Sequence, residues 1–237
     1  MFQPIRQALP DVREFYISPD GLLHLVPYAA LLDSGQPLLE RFTLHMLSTG
    51  RDLVLGDPLA AAQSPIIAGI ETFGEQKPER PVFPPLPGAQ SEADTVTKLI
   101  PAGQLVAADR LNRNFLLERV NAPRILHLAT HGFYLPDELG NNTDPLTRSG
   151  IALNKANESD DGILTAKDAA MLHLRGTQLV VLSACETGVG EATFADGVVG
   201  LQRSLKLARR AERDPKPVAR ERRQDACPDG PFLSQCV

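Results

Sequence analysis

Two residues that can do nucleophilic chemistry follow apolar runs in the sequence. His131 comes after Ile-Leu-His-Leu-Ala-Thr at 125–130, and Cys185 comes after Leu-Val-Val-Leu-Ser-Ala at 179–184. A thiol becomes a strong nucleophile when a neighbouring imidazole takes its proton, so this pair is a candidate dyad for acyl transfer. Gly132 directly follows the histidine, and backbone N–H groups near Gly132 and Cys185 are candidates for an oxyanion hole.

Each of these residues also has a purely structural explanation. A cysteine at the end of an apolar strand is usually a small core residue. His127 lies in mid-strand, where a hydrogen-bonded core histidine is expected. Metal binding by His127 and His131 would require a shared helix face, whereas their apolar surroundings favour a strand. Residues 187–190 lack the lysine and the spacing of a phosphate-binding loop. Three further histidines receive no role: His24, His45 and His173.

Alternating helices and strands are predicted to position the two candidate residues. Strands that are apolar on both faces and separated by helices indicate a mostly parallel sheet with helices on both sides. If the strands before His131 and Cys185 are parallel neighbours, the imidazole and the thiol meet at one edge of that sheet. The helices are predicted over 91–100, 112–120 and 164–172, the last capped by Thr165, and the strands over 104–107, 124–130 and 178–184.

The first third of the chain has a different pattern. Residues 14–17 are predicted as a strand, followed by a turn and a return to apolar character at 22–25, which indicates a hairpin-like unit. A second strand is predicted within 38–47, around Phe42. Residues 58–88 are rich in Pro, Gly and Ala and are predicted as a loop or an internal linker.

Composition limits the class of protein. The chain has 237 residues, of which 43% are hydrophobic and 22% charged, as in an ordinary soluble globular protein of one or two domains. No apolar run approaches the roughly 20 residues that cross a bilayer, and residues 1–10 lack the apolar core of a signal peptide, so a cytoplasmic location is predicted. Three unevenly placed cysteines argue against a disulfide framework.

Charge is distributed unevenly along the chain. Residues 1–202 carry a net charge of -9, and residues 203–237 carry +4. An acidic body of this kind is a poor electrostatic match for nucleic acid, so neither a nucleic acid nor a membrane is expected as a partner.

Two segments carry a family resemblance: His-Leu-Ala-Thr-His-Gly-Phe at 127–133 and Val-Leu-Ser-Ala-Cys-Glu-Thr-Gly-Val-Gly-Glu at 181–191. They resemble the paired motifs of CHAT-domain proteins, which are caspase-like cysteine peptidases often joined to tetratricopeptide repeats. The 54 residues from His131 to Cys185 also suit the caspase order, in which histidine precedes cysteine by about 50 residues. Shorter matches extend the resemblance over roughly 11–208, at 16–21, 39–41, 48–51, 56–58, 86–89 and 197–202.

The resemblance implies a fold and a reaction. The fold would be a caspase-like three-layer sandwich, with a mostly parallel central sheet that is incomplete at the C-terminus. Cys185 would be the nucleophile and His131 the general acid/base, with the amides of Gly132 and Cys185 as the oxyanion hole. No metal or organic cofactor is required. The expected partners are a protein or peptide substrate and a tetratricopeptide-repeat or other regulatory protein. Acidic residues near the motifs are candidates for binding a basic residue before the cleaved bond: Asp144, Glu186 and Asp196.

The resemblance stops after Leu207. We therefore predict a CHAT domain over 1–208 and a basic, Pro/Arg-rich tail over 209–237, disordered or frame-shifted. The alternatives are a natural tail that binds an acidic partner and a domain that another chain completes. If a core strand is missing, one edge of the sheet is left open. A catalytically inactive interaction module, or a truncated pseudoenzyme, therefore stands as the alternative to an active peptidase.

Overall fold

A computed structural model of the protein describes residues 3–20, 23, 26–54, 60–135, 144–186 and 194–210. Within these residues the helices are α1 Gln3–Ala8, α2 Leu38–Arg41, α3 Ala89–Leu99, α4 Arg113–Arg119, α5 Pro145–Arg148, α6 Ala166–Ala169 and α7 Phe194–Arg210. The strands are β1 Glu14–Ile17, β2 Leu32–Asp33, β3 Gln36–Pro37, β4 Thr43–Met46, β5 Ile66–Gly69, β6 Gln104–Leu105, β7 Ile125–Tyr134, β8 Ser149–Ala152, β9 Ile163–Thr165 and β10 Leu179–Glu186.

A central sheet of six strands organises the described part of the chain. Its order is β6-β5-β7-β8-β9, and β10 pairs with β7. The strands β6, β5, β7 and β10 pair in parallel, whereas β8 pairs antiparallel with both β7 and β9. The fold is thus mixed α/β with a mixed sheet. The prediction of a mostly parallel sheet holds for β6, β5, β7 and β10, whereas β8 and β9 add two antiparallel pairings.

On one side, β7 pairs with two different strands along its length. Its first half pairs with β5 as far as Ala129, opposite Gly69, and its second half pairs with β8 from Gly132 onward. Residues 125–132 pair with β10 at the same time, so β5 and β8 both lie on the side of β7 away from β10. β7 is longer than predicted, and His131 lies inside it, at the fork where β5 has ended and β8 has not yet begun.

The two faces of β7 pack against different elements, because side chains alternate along a strand. Leu126 and Leu128 belong to the main hydrophobic cluster, which also contains Leu116 of α4 and Val120, the residue that follows α4. On the other face, α3 packs closely over β5 and β7. A Cβ atom at Gly69 would clash with the carbonyl oxygen of Ala89, so the close approach of this helix requires a glycine in the strand.

The largest difference from the sequence prediction concerns residues 58–88. β5 lies within this predicted linker, is buried along its whole length, and pairs with β6 and β7. A four-residue strand between Pro- and Gly-rich flanks is too short for hydrophobic periodicity to indicate it. Residues 71–88, which we call the proline loop, contain neither a helix nor a strand.

The first third of the chain forms a separate parallel strand pair. The predicted strand 14–17 is present as β1, which pairs in parallel with β4. Of the residues 22–25 predicted to continue the hairpin-like unit, only Leu23 lies among the described residues. The strand predicted within 38–47 is half helix, since α2 precedes β4. Phe42 joins these two elements and is buried beneath the guanidinium groups of three arginines: Arg6, Arg13 and Arg41.

The remaining predicted elements are present with changed bounds. The predicted helices 91–100 and 112–120 correspond to α3 and α4, and the strand 104–107 shortens to β6. Thr165 caps α6 as expected, in a capping box with Asp168, but β9 occupies the start of that predicted helix. α7 continues to Arg210, two residues into the predicted tail, and 211–237 lie outside the described residues. None of the described helices is long and apolar enough to cross a membrane.

Candidate active site

The strands that carry the candidate dyad are direct neighbours. β10 runs parallel to β7, and each of its residues from Leu179 to Glu186 has a partner in 125–132. Cys185 is opposite His131 in this register. Adjacent strands lie about 4.8 Å apart, so the two backbones stand at a separation that a thiol and an imidazole can bridge. The predicted parallel arrangement of the two strands is therefore confirmed, whereas the side chain of Cys185 lies outside the described part of the structure.

The ring of His131 is held in one tautomer by a backbone carbonyl. His131 is 1% exposed, and its Nε2 atom lies 2.8 Å from the carbonyl oxygen of Pro84. A carbonyl can only accept a hydrogen bond, so Nε2 carries a proton, and in the neutral ring Nδ1 carries the lone pair. Nδ1 is buried and has no hydrogen-bond partner among the described residues. Within the described part of the structure, no donor therefore competes for the Nδ1 lone pair of the neutral ring.

Two phenylalanines form the walls around this imidazole. The ring centroid of Phe73 lies 5.0 Å from that of His131 and the centroid of Phe83 lies 6.3 Å away, with interplanar angles of 35° and 24°. Both phenylalanines are buried, and both belong to the proline loop. All three groups that fix the ring therefore come from a segment whose sequence predicts only a loop. The sequence Phe-Pro-Pro at 83–85 indicates a conformationally restricted backbone in the proline loop, but it does not indicate where this loop packs.

The carboxylate of Glu92 contacts side chains on both strands of the candidate dyad, at positions that precede His131 and Cys185. Glu92 of α3 lies with Oε1 2.9 Å from His127 Nε2, and its Oε2 accepts a hydrogen bond of 2.9 Å from the hydroxyl of Ser183. Glu92 occupies the first turn of α3, where the helix dipole stabilises negative charge. His127 is buried and hydrogen-bonded, as predicted for a core histidine. No role was predicted for Glu92 or Ser183 from the sequence.

The geometry does not support metal binding by the two histidines of β7. His127 and His131 lie four residues apart in a strand, which separates their Cα atoms by roughly 13 Å. Their Nε2 atoms bond to different elements, Glu92 and the carbonyl of Pro84. Across the described ranges, no group of three His, Cys, Asp or Glu residues could hold a metal ion.

The acidic residues predicted to bind substrate have different surroundings. Asp144 is the N-cap of α5, accepts a hydrogen bond from the amide of Leu146, and is about half exposed. Glu186 lies opposite Gly132 in the β10–β7 register, and Asp196 lies in α7, but their side chains are outside the described part of the structure. A role of these residues in substrate binding stays a prediction.

The oxyanion role of the Gly132 amide also stays a prediction. A Cβ atom at this position would lie 3.6 Å from the Cβ atom of Ala184 and 3.9 Å from the carbonyl oxygen of Gly150, which are ordinary contacts. Packing against the described residues therefore does not require a glycine here.

Comparison with known proteins gives one clear result. The family model of the CHAT domain matches residues 1–208 of the chain. The match includes β7, β10 and the proline loop, and hence all the residues described around His131. No curated protein matches the chain.

Proposed function

The chain belongs to the CHAT domain family, whose fold is caspase-like, and on this premise we propose that it is a cysteine endopeptidase acting through Cys185 and His131. The pairing of Cys185 with His131 across parallel strands is the observation that carries the proposal. The bond from His131 Nε2 to the Pro84 carbonyl supports it, because this bond leaves Nδ1 as the proton acceptor. We also infer that helices cover both faces of the central sheet in three layers.

The first half of the reaction forms an acyl-enzyme. His131 Nδ1 takes the proton of the Cys185 thiol, and the thiolate attacks the carbonyl carbon of the scissile peptide bond. The amides of Gly132 and Cys185 donate hydrogen bonds to the oxyanion of the tetrahedral intermediate. The imidazolium then gives its proton to the leaving amine as the C–N bond breaks, and a thioester to Cys185 remains.

The second half releases the acid. His131 takes a proton from a water molecule, whose oxygen attacks the thioester carbonyl. The C–S bond breaks, the carboxylic acid leaves, and the thiol is restored. The Pro84 carbonyl stabilises the imidazolium that forms in both halves, because a hydrogen bond from a charged donor is stronger than one from a neutral ring.

The charge of the chain supports a class of substrate. Residues 1–202 are acidic, with a net charge of -9, and three carboxylates lie near the two motifs in the sequence. We propose that these carboxylates bind a basic residue before the cleaved bond: Asp144, Glu186 and Asp196. The substrate would be a protein or peptide, and a tetratricopeptide-repeat protein is the proposed regulatory partner. No cofactor is needed by this mechanism.

Covalent labelling tests the dyad directly. The purified chain is treated with a library of acyloxymethyl-ketone peptides, and the adduct is located by mass spectrometry. We expect an adduct on Cys185 that is lost in Cys185→Ala and in His131→Ala. His173→Ala is the matched control, because His173 is exposed and forms a bridge with Asn121, ten residues before His131 in the chain. Labelling of His131→Ala at the wild-type rate would refute the dyad.

An interaction module is the second candidate function. Its support is the outer edge of β10, which pairs with no strand among the described residues, while residues 180–184 are only half-buried. An open edge of this kind can receive a strand from another chain. A folded sample in which Cys185 stays unlabelled by every peptide would favour this function over the peptidase.

A further inference from the structure

Asn157 holds the proline loop with both its side chain and its backbone. It lies in the connection between β8 and β9 and is 5% exposed. Its Oδ1 atom accepts a hydrogen bond from the amide of Phe83 at 2.9 Å, and its Nδ2 atom donates to the carbonyls of Phe83 at 3.0 Å and Gly74 at 3.4 Å. Its own amide donates to the carbonyl of Phe73, and its carbonyl accepts from the amide of Lys77.

The two bonds to Phe83 determine the position of the next carbonyl group. Phe83 precedes Pro84, whose carbonyl oxygen accepts the hydrogen bond from His131 Nε2. The Phe83–Pro84 peptide is planar, and the bond from Asn157 to the Phe83 carbonyl fixes that plane. The ring of Pro84 fixes its own φ, and Pro85 restricts the ψ of Pro84 to extended values. Little freedom therefore remains for the Pro84 carbonyl once Asn157 has bound Phe83.

Other contacts between the proline loop and the β8–β9 connection lie at the surface and involve earlier residues of the proline loop. The amide of Glu75 donates to Glu158, and Arg80 forms an ion pair with Asp160. Both sets are exposed, and both lie at least four residues before Pro84. Asn157 is the buried link that acts on the residue adjoining the His131 acceptor.

We propose that Asn157 is a positioning residue for the candidate dyad. Through the Phe83 peptide it fixes the Pro84 carbonyl, which keeps the His131 proton on Nε2 and the lone pair on Nδ1. This inference rests on the proposed peptidase function for its kinetic consequence, but its effect on the His131 tautomer is independent of any substrate.

The substitution Asn157→Asp tests the proposal with almost no change of shape. The aspartate keeps the acceptor for the Phe83 amide, loses the donor to two carbonyls, and places a carboxylate oxygen against them. Asn154→Asp is the matched control. It makes the same change in the same connection, at a half-exposed residue whose Nδ2 donates to the Asp109 carbonyl.

Two readouts separate positioning from general destabilisation. For the acyloxymethyl-ketone peptide that labels wild type best, we expect the maximal labelling rate of Asn157→Asp to fall about tenfold to a hundredfold, with little change in the half-saturating concentration. In the full chain labelled with ¹⁵N-histidine, we expect His131 to change from the Nε2–H tautomer to a mixture. Asn154→Asp should match wild type in both measurements.

The outcomes distinguish this inference from the proposed function. An unchanged His131 tautomer in Asn157→Asp overturns the positioning role, whatever the labelling rate does. A tautomer that depends on Asn157 in a chain that no peptide labels supports the positioning role and refutes the peptidase.

A second variant applies if Asn157→Asp does not fold. Asn157→Ser removes the side-chain bonds to Phe83 without adding a charge, and Asn154→Ser is its control in the same connection. We expect faster solvent exchange of the His131 Nε2 proton in Asn157→Ser alone. Equal exchange in the two serine variants would overturn the proposal.

Discussion

β7 and β10 are similar apolar strands that lie side by side in register, yet their surroundings differ. Residues 126–131 of β7 are buried without a break, whereas residues 180–184 of β10 are only half-buried. β7 has strands on both sides, while β10 has β7 alone as a neighbour within the described residues. An apolar run thus predicts a strand, but the number of neighbours decides how deeply the strand is buried.

The difference separates the two halves of the candidate dyad. On the β7 side, described contacts with Pro84, Phe73 and Phe83 hold the His131 ring in place. On the β10 side, the register with β7 defines the backbone of Cys185. The candidate base is therefore held by contacts within the described fold, whereas for Cys185 the structure describes the backbone position in the strand register.

The largest expected effect on the free energy of unfolding comes from truncating one leucine in β7 and one in β10, which tests the difference in burial between the two strands. Leu128 and Leu182 are direct partners in the register, so they differ in burial rather than in type or position. We expect Leu128→Ala to lower the free energy of unfolding by about 3 kcal/mol and Leu182→Ala by about 1 kcal/mol. Urea unfolding followed by circular dichroism measures both. Equal losses would contradict the difference in packing.

Adding a methyl group to two glycines tests how tightly the neighbours of β7 pack. Gly69→Ala would place Cβ against the backbone of Ala89, which cannot move without α3. We expect a loss of about 2 kcal/mol in the free energy of unfolding. Gly132→Ala meets ordinary contacts only, and we expect a loss of about 0.5 kcal/mol or less. Urea midpoints that rank the two variants in the opposite order would refute this account.

Substitution of Glu92, whose carboxylate contacts both β7 and β10, should have a smaller effect on the free energy of unfolding. Its carboxylate accepts from His127 and Ser183, whereas the amide in Glu92→Gln can accept at only one of its two ends. We expect the free energy of unfolding to fall by about 1 kcal/mol. Glu118→Gln, at an exposed site in α4, is the control and should leave the urea midpoint unchanged. A loss no larger than that of the control would remove Glu92 as a link between β7 and β10.

The smallest effect on stability is expected in the exposed strand pair β1–β4, which serves as a reference for the two strands of the candidate dyad. The Tyr16 hydroxyl donates to the Glu14 carboxylate and lowers its pKa below the ordinary value of 4.5, and His45 adds to this effect. A lowered pKa in the folded state stabilises the fold above pH 4.5, and this stabilisation is lost as the pH falls through the folded value.

The measurement is the urea midpoint between about pH 6 and pH 3. We expect wild type to exceed Glu14→Gln slightly at the upper end and to converge with it at the lower end. Glu40→Gln, which changes an exposed glutamate of α2, controls for net charge. A gap between wild type and Glu14→Gln that does not change with pH would contradict the pKa shift.

The sequence predicted the strands of the dyad because their apolar runs are long and their reactive residues stand at corresponding positions. It predicted α3 and α4 because helical periodicity is a local property. β5 was missed, since four residues between prolines and glycines carry no period. A composition rich in proline indicates a loop, and it does not indicate where that loop packs.

The groups that position His131 were missed for a different reason. Asn157 bonds to Phe83 over a separation of 74 residues, and His131 bonds to Pro84 over 47. Hydrogen bonds between a side chain and a distant backbone leave no pattern in the local sequence. The strand pairing at the candidate site could therefore be predicted, whereas the residues that hold its base could be found only in the fold.

The parallel register of β7 and β10 also sets an order of assembly. Each residue of β10 pairs with one that is 54 positions earlier, whereas β5 and β8 precede β10 in the chain. During synthesis the ribosome releases β5, β7 and β8 before β10, so the histidine side can fold first. Closing a loop of this length costs chain entropy. The pairing of β10 with β7 can therefore form only after the ribosome has released all the other strands of the central sheet.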